Sequence, residues 1–249
     1  MNGIELLDTL VGKENLHLVS LTRNGKIKIL GNKGEQTDRV AKAFYNEFRR
    51  QSIQNSGGFS SFPPSGYNVP TLKRFSLEEV ENLVKLGAIA AIAVGNHGNV
   101  YDFACGIPVA SIAYNKLTSR TATAIDSNSG VIDRGRGIVG KVGANVNLVN
   151  SRVEDYMHDI NLGPEDVVIA SSLTDELFDY TINLLRTNDF TLILHGAVPG
   201  ELAGFVERNF TSNGYDVRIA KNNALKNLAM KSGAQHFTPQ QYVFLAFKS

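Results

Sequence analysis

Three sets of residues in this chain have types and spacings that could do chemistry. His195 follows an apolar run, Phe190 to Leu194, that reads as a central strand. Open α/β sheets gather ligands beyond such strand ends, and an imidazole there could act as a general base. Ser171 and Ser172 follow Asp166–Ala170 in the same way, but no Gly-x-Ser-x-Gly elbow surrounds them, which disfavours nucleophilic hydrolysis. Glycines cluster twice, in Gly95-Asn96-His97-Gly98 and in Asp133-Arg134-Gly135-Arg136-Gly137 with Gly140 beyond. Glycine at such places lets a backbone approach a ligand closely. Arg134, Arg136 and Lys141 could neutralise a phosphate-bearing ligand, with exposed loop charge as the plainer reading. His17, His97, His158, His195 and His236 never fall at metal-ligand spacing, and the single Cys105, on an expected helix, reads as core, so no metal is expected.

The elements that must position these residues are legible from periodicity. Apolar positions alternate through 16–30 on both sides of Asn24-Gly25, a pair that suits a tight hairpin turn, and Val40, Ala43, Phe44 and Phe48 recur at helical spacing over 37–50. Residues 52–70 are too rich in glycine, proline and serine for regular structure. Ser76 with Glu79 spells a capping box for a helix that ends near Gly87. Buried strands are then expected at 88–94, 109–114, 145–149, 166–170 and 190–194, with helices at 175–186 and 200–210 and two closing strands at 215–219 and 242–247. The fold class is therefore α/β: a Rossmann-like, mostly parallel sheet with helices on both faces, plus a small N-terminal α+β unit. The expected division is residues 1–70 for the hairpin, helix and linker, and 71–249 for the sheet domain.

Composition is ordinary for a globular chain, with 43% hydrophobic and 20% charged residues. One cysteine allows no internal disulfide, and neither a signal segment nor a membrane span is evident, so a cytoplasmic location is expected. Charge is uneven: residues 1–75 hold 11 Lys/Arg against 6 Asp/Glu, and the remainder 14 against 18. A basic N-terminal segment could track the phosphates of a nucleic acid; a solvated basic face is the plainer alternative.

The order of elements over residues 76–249 resembles the S-adenosylmethionine-dependent methyltransferases, including the antiparallel strand that ends the chain. The resemblance implies S-adenosylmethionine as cofactor, a glycine turn after the first strand at Gly95, Asn96 and Gly98, and a ribose contact at the end of the second strand. That last place falls on Asn115, where the family carries an acid. Asp155, after the third strand, is similar to the acid that meets the adenine amino group, and Pro164–Ser171 resembles the fourth-strand motif. Within the fold the chain looks most like the FtsJ-like RNA ribose 2′-O-methyltransferases, which use a Lys-Asp-Lys-Glu tetrad. Lys73 matches its first lysine; Ser172, His195 and Gln241 stand at the other places. RNA or another phosphate-bearing acceptor is the implied substrate, with Lys73, Ser172 and His195 as catalytic candidates.

Rival readings remain. The missing tetrad and Asn115 suit a non-catalytic methyltransferase-fold scaffold with protein partners in a larger assembly. Gly95–Gly98 followed by Gly106-Ile107-Pro108-Val109 is also similar to a passage of fold-type II pyridoxal-phosphate enzymes, although no Ser-x-Lys segment lies upstream. The 133–140 segment spells Asp-x-Gly-x-Gly more literally, but too few residues separate it from the strand at 145 to hold a helix, so it reads as a loop over the pocket or, alternatively, as the cofactor turn.

Overall fold

The computed structural model describes residues 13–23, 26–32, 34–35, 37–39, 41–42, 44–46, 77–171, 175–221 and 241–248. Val19–Leu21 (β1) and Ile27–Ile29 (β2) pair antiparallel, Val19 opposite Ile29, as the alternation around Asn24-Gly25 predicts; the turn pair itself lies outside the described residues. Described residues between 32 and 46 are helical. Leu16, Val19, Ile27 and Ile29 share one apolar cluster with the first long helix.

That helix, Leu77–Ala93 (α1), corrects the expected break at Gly87 and the expected strand at 88–94. Ala88-Ile89-Ala90-Ala91-Ile92-Ala93 is continuously apolar, which periodicity cannot assign, but alanine is the best helix former and a poor strand former. All six residues are buried because α1 is covered on several sides. Gly87 is tolerated mid-helix because a Cβ there would overlap the Ala110 carbonyl and lie 2.9 Å from the Tyr114 nitrogen.

The first sheet strand is instead Val100–Phe103 (β3), and the expected strand at 109–114 is the helix Val109–Thr118 (α2). Its Val-Ala-Ser-Ile-Ala-Tyr opening shows no helical period because eight of its residues are buried between α1 and the sheet. Next come the strand Ala122–Asp126 (β4), the helix Ser129–Val142 (α3), Val146–Asn150 (β5) and the short helix Val153–Met157 (α4). Val167–Ser171 (β6), Asp175–Thr187 (α5), Thr191–Pro199 (β7), Gly200–Ser212 (α6), Tyr215–Lys221 (β8) and Gln241–Lys248 (β9) fall where the sequence places them.

Seven strands form one sheet in the order β5-β4-β3-β6-β7-β9-β8. The first five are parallel; β9 runs antiparallel between β7 and β8. Side chains alternate between two cores. Val100, Val167, Ile169, Ile193 and Leu245 meet α1 and α2 on one face, while Tyr101, Phe103, Val168, Leu192, Leu194 and Phe244 meet α4, α5 and α6 on the other. The expected fold class is therefore the observed one: a mostly parallel sheet covered on both faces, with an inserted C-terminal strand and a small N-terminal hairpin. Among the described residues, no helix is long and apolar enough to cross a membrane.

Candidate functional site

Where five parallel strands end together, their carboxyl edge presents the loops that in such sheets take ligands. At the end of β3 the chain turns through Ala104, Cys105 and Gly106 before α2 begins after Pro108. Ala104 and Gly106 both adopt positive φ, +48° and +54°. For alanine that conformation costs about 1–2 kcal/mol, so the surrounding structure must impose it. Two bonds do so: the Cys105 N–H donates to the Ile125 carbonyl at 3.0 Å, and the Gly106 N–H donates to Asp126 Oδ2 at 2.9 Å. Among the described residues nothing lies within 4 Å of where a Gly106 Cβ would stand.

Asp126 ends β4, one strand from β3. Its Oδ1 accepts from the Asn128 N–H at 2.9 Å, and Asn128 caps α3 through the Val131 N–H. A carboxylate has about four acceptor sites, so these two backbone bonds leave acceptor capacity on the half-buried Asp126. Below the turn, Asp102 is buried and accepts from Ser111 Oγ at 2.7 Å and from the Ser111 N–H. It thereby caps α2, whose own N-cap residue, Pro108, makes no side-chain cap hydrogen bond. Burial pushes the Asp102 carboxyl up to about 7 against these bonds. Cys105, expected on a helix, sits in this loop with its thiol donating to the Gly106 carbonyl; burial pushes the thiol well above its usual range, so it is no thiolate nucleophile.

Several expected site residues lie elsewhere. The 95–98 turn joins α1 to the start of β3, at the amino edge, because the residues before it are helix and not strand. It is also closed. The Gly95 N–H donates to the Glu165 carbonyl at 3.0 Å, a Cβ at Gly95 would lie 2.6 Å from the Glu165 side chain, and one at Gly98 would overlap the Glu165 carbonyl. Arg120 donates to the Gly95 carbonyl at 2.9 Å and to that of Gly98. Asn96 is exposed on this turn. Asn115 lies on α2, not at a strand end; its amide donates to the Arg120 carbonyl and accepts from the Asn145 N–H, both at 2.9 Å, so it fastens loops. The 133–140 segment is neither lid nor turn but part of α3, where Gly135 packs on Pro108 and Leu148 and Arg136 pairs with Asp133 at 2.6 Å.

Other expectations stay at the carboxyl edge. Asp155 is exposed in the first turn of α4, directly after β5. Ser171 ends β6 opposite His195 on β7, the last parallel pair between those strands. Gln241 opens β9 opposite Pro199, beyond that pair. Lys73 and Ser172 lie outside the described residues.

Sequence reasoning missed Asp102-Phe103-Ala104-Cys105-Gly106 and Asp126. The recoverable signal was spacing: an acid about 20 residues beyond the glycine of a first strand–helix turn is the pattern of nucleoside-binding α/β sheets, and Asp126 is 20 residues beyond Gly106. Alanine at 104, where glycine relaxes the turn, concealed it.

No protein-family model and no curated protein sequence matches the chain. Among solved structures it resembles a precorrin-6y C5,15-methyltransferase from Geobacter metallireducens, with 17% identity over 77% of this chain and 96% of that one and a TM-score of 0.50. It also resembles a protein of Pyrococcus horikoshii assigned as an RNA methyltransferase, with 13% identity over 82% and 98% and a TM-score of 0.50. At such identities the likeness is one of fold: the chain has a methyltransferase fold.

Proposed function

We propose that the chain binds S-adenosylmethionine over the carboxyl ends of β3 and β4 and methylates RNA or another phosphate-bearing acceptor. The observation that carries the reading is the left-handed turn at Ala104–Gly106, uncovered at Gly106 by any described residue and bonded to the acid that ends β4. The backbone at 104–106 would lie under the amino-acid part of the ligand. Asp126 would take the ribose hydroxyls with its remaining acceptor sites, and Asp155 would stand on the adenine side. When bound, the cofactor supplies an electrophilic methyl group on a sulfonium. Asp102 adds selectivity. It already occupies the N-terminus of α2, the place where dinucleotide folds receive a pyrophosphate, so a ligand without phosphates fits and a dinucleotide meets a carboxylate.

Methyl transfer needs chiefly alignment, so few reacting side chains are demanded of the protein. The basic N-terminal unit is assigned to the acceptor. The Ile27 N–H meets Asn82 Oδ1 at 3.4 Å in the first half of α1, and Asp38 meets Lys85 at 2.8 Å at its midpoint. Since α1 descends to the amino edge before β3 rises, the Asn82 contact is on the half nearer the carboxyl edge. Isothermal calorimetry with S-adenosylhomocysteine tests the reading: binding by the wild type, weakened about tenfold or more in Asp126→Ala, is the expected result, equivalent to a loss of at least about 1.4 kcal/mol. No heat up to millimolar ligand would leave the non-catalytic scaffold in its place.

A further inference from the structure

His195 is the one expected catalytic residue that the described structure keeps at the carboxyl edge, and its surroundings are unusual. The residue as a whole is half-buried, yet Nδ1 and Nε2 are both out of reach of solvent and neither has a hydrogen-bond partner among the described residues. Buried polar atoms are nearly always satisfied in native proteins, and leaving one unpaired costs about 1–3 kcal/mol. Such an expense at a ligand-binding edge calls for a partner that arrives with a ligand. Position says which ligand. His195 is on β7, two strands from β3 by way of β6. At about 4.8 Å per strand this is roughly 10 Å from the turn assigned to the cofactor, the room for an acceptor placed beside it. There the last described pair of β6 and β7 sets Ser171 opposite His195, while β7 continues upward paired with β9, Gly196 opposite Phe244.

We propose that His195 is the acceptor-positioning residue and that it takes an uncharged O–H or N–H group of a nucleoside unit, not a phosphate or carboxylate. The proposal rests on the methyl-transfer reading and sharpens its substrate class. Burial supports it: desolvation pushes the imidazole down to about 4, so it stays neutral near pH 7 and offers one acceptor and one donor nitrogen. An anionic group held there would instead draw a proton onto the ring. An uncharged hydroxyl or amine can donate to the bare nitrogen with its own lone pair turned outward; were that lone pair to take the cofactor's methyl group, the sulfonium would leave as the neutral thioether and the acceptor's proton would pass to the imidazole.

Two measurements on the full chain decide it. Replacing an orphaned imidazole by a side chain of similar size without polar atoms should stabilise the free protein, so His195→Leu should melt about 2–4 °C higher than wild type at pH 8; a lower melting temperature would mean the ring makes structural bonds and would overturn the proposal. Second, protein with ¹⁵N-labelled histidine, saturated with S-adenosylhomocysteine, is titrated with adenosine, guanosine, cytidine and uridine, and separately with inorganic phosphate and acetate. At least one nucleoside should shift the His195 ring-nitrogen resonances and the anions should not. Silence toward all four nucleosides, or an anion that raises the ring's pKa toward 7, would overturn it. Calorimetric heat from S-adenosylhomocysteine with a silent imidazole removes this assignment alone, whereas no heat removes the methyl-transfer reading beneath it.

Discussion

At the scale of single residues, two buried groups titrate in opposite senses across the same range. The Asp102 carboxyl is pushed up from 3.8 to about 7 and the His195 imidazole down from 6.5 to about 4. For Asp102 the folded state holds its proton more tightly than the unfolded state, so its contribution is most favourable below about pH 4 and is lost as pH rises to about 7, on the order of 4 kcal/mol over the window. For His195 the folded state resists protonation, so its contribution is full above about pH 6.5 and is lost as pH falls toward 4, on the order of 3 kcal/mol. In the wild type the two slopes largely cancel. Urea denaturation between pH 4 and 7 should therefore show Asp102→Asn gaining stability relative to wild type as pH rises, and His195→Leu gaining relative to wild type as pH falls. Parallel curves for Asp102→Asn and wild type would show that the carboxyl is not buried as described. Ala104 gives a simpler test. At φ +48° glycine sits without the penalty alanine bears, so Ala104→Gly should raise stability by up to about 1 kcal/mol in the same assay, with S-adenosylhomocysteine affinity kept.

Elements explain why part of the molecule was legible in the sequence and part was not. From β6 onward the apolar runs are short, rich in valine, isoleucine and phenylalanine, and bounded by polar breaks, so strand length and composition agreed. Upstream, α1 and α2 are buried nearly all round, which erases the 3.6-residue period, and the alanine-rich end of α1 mimics a strand to hydropathy. Misplacing those two helices displaced the site as well: with a strand imagined at 88–94, its closing glycines became the cofactor turn, and β4, only five residues of Ala-Thr-Ala-Ile-Asp, was passed over. The elements now separate two roles that the sequence had merged. Arg120 locks the turn at the amino edge through the Gly95 and Gly98 carbonyls, while Asp126 serves the carboxyl edge. Four residues of β3, about 13 Å of strand, lie between the edges. Arg120→Ala should thus lower folding stability by about 1–3 kcal/mol, since it removes charged hydrogen bonds, yet leave S-adenosylhomocysteine affinity within about twofold, a difference of less than 0.5 kcal/mol. Asp126→Ala should weaken the ligand about tenfold or more, and it also costs stability because the Gly106 and Asn128 N–H groups lose their acceptor. An Arg120 variant that folds normally and loses the ligand would move the site back to the turn at 95–98.

For the whole molecule the open matter is how a chain of net charge +1 could hold a polyanion. Charge distribution supplies an answer that total charge hides. Arg23 and Lys28 are exposed on the N-terminal hairpin, and Arg39 and Lys42 on the helical stretch after it. Of the acids beside them, Asp38 is engaged by Lys85 of α1 and Glu35 remains exposed. The unit is fixed to the sheet domain by Leu16, Val19, Ile27 and Ile29, so its charge has a set position relative to the carboxyl edge rather than swinging on a tether. If Arg23, Lys28, Arg39 and Lys42 each neutralise one phosphate, single-stranded RNA binding should weaken with salt along a log–log slope of at most about −2.8, because each phosphate contact contributes about −0.7. Fluorescence anisotropy of a labelled oligoribonucleotide from 50 to 200 mM KCl, settings at which such slopes are resolved, would measure it. Arg23→Gln with Lys28→Gln should reduce the slope by about 1.4 on the same reasoning, without altering S-adenosylhomocysteine binding, since neither side chain belongs to the turn assigned to the cofactor. Affinity that holds constant across the salt range would mean that this basic face is only solvated, and that any RNA reaches His195 by another route.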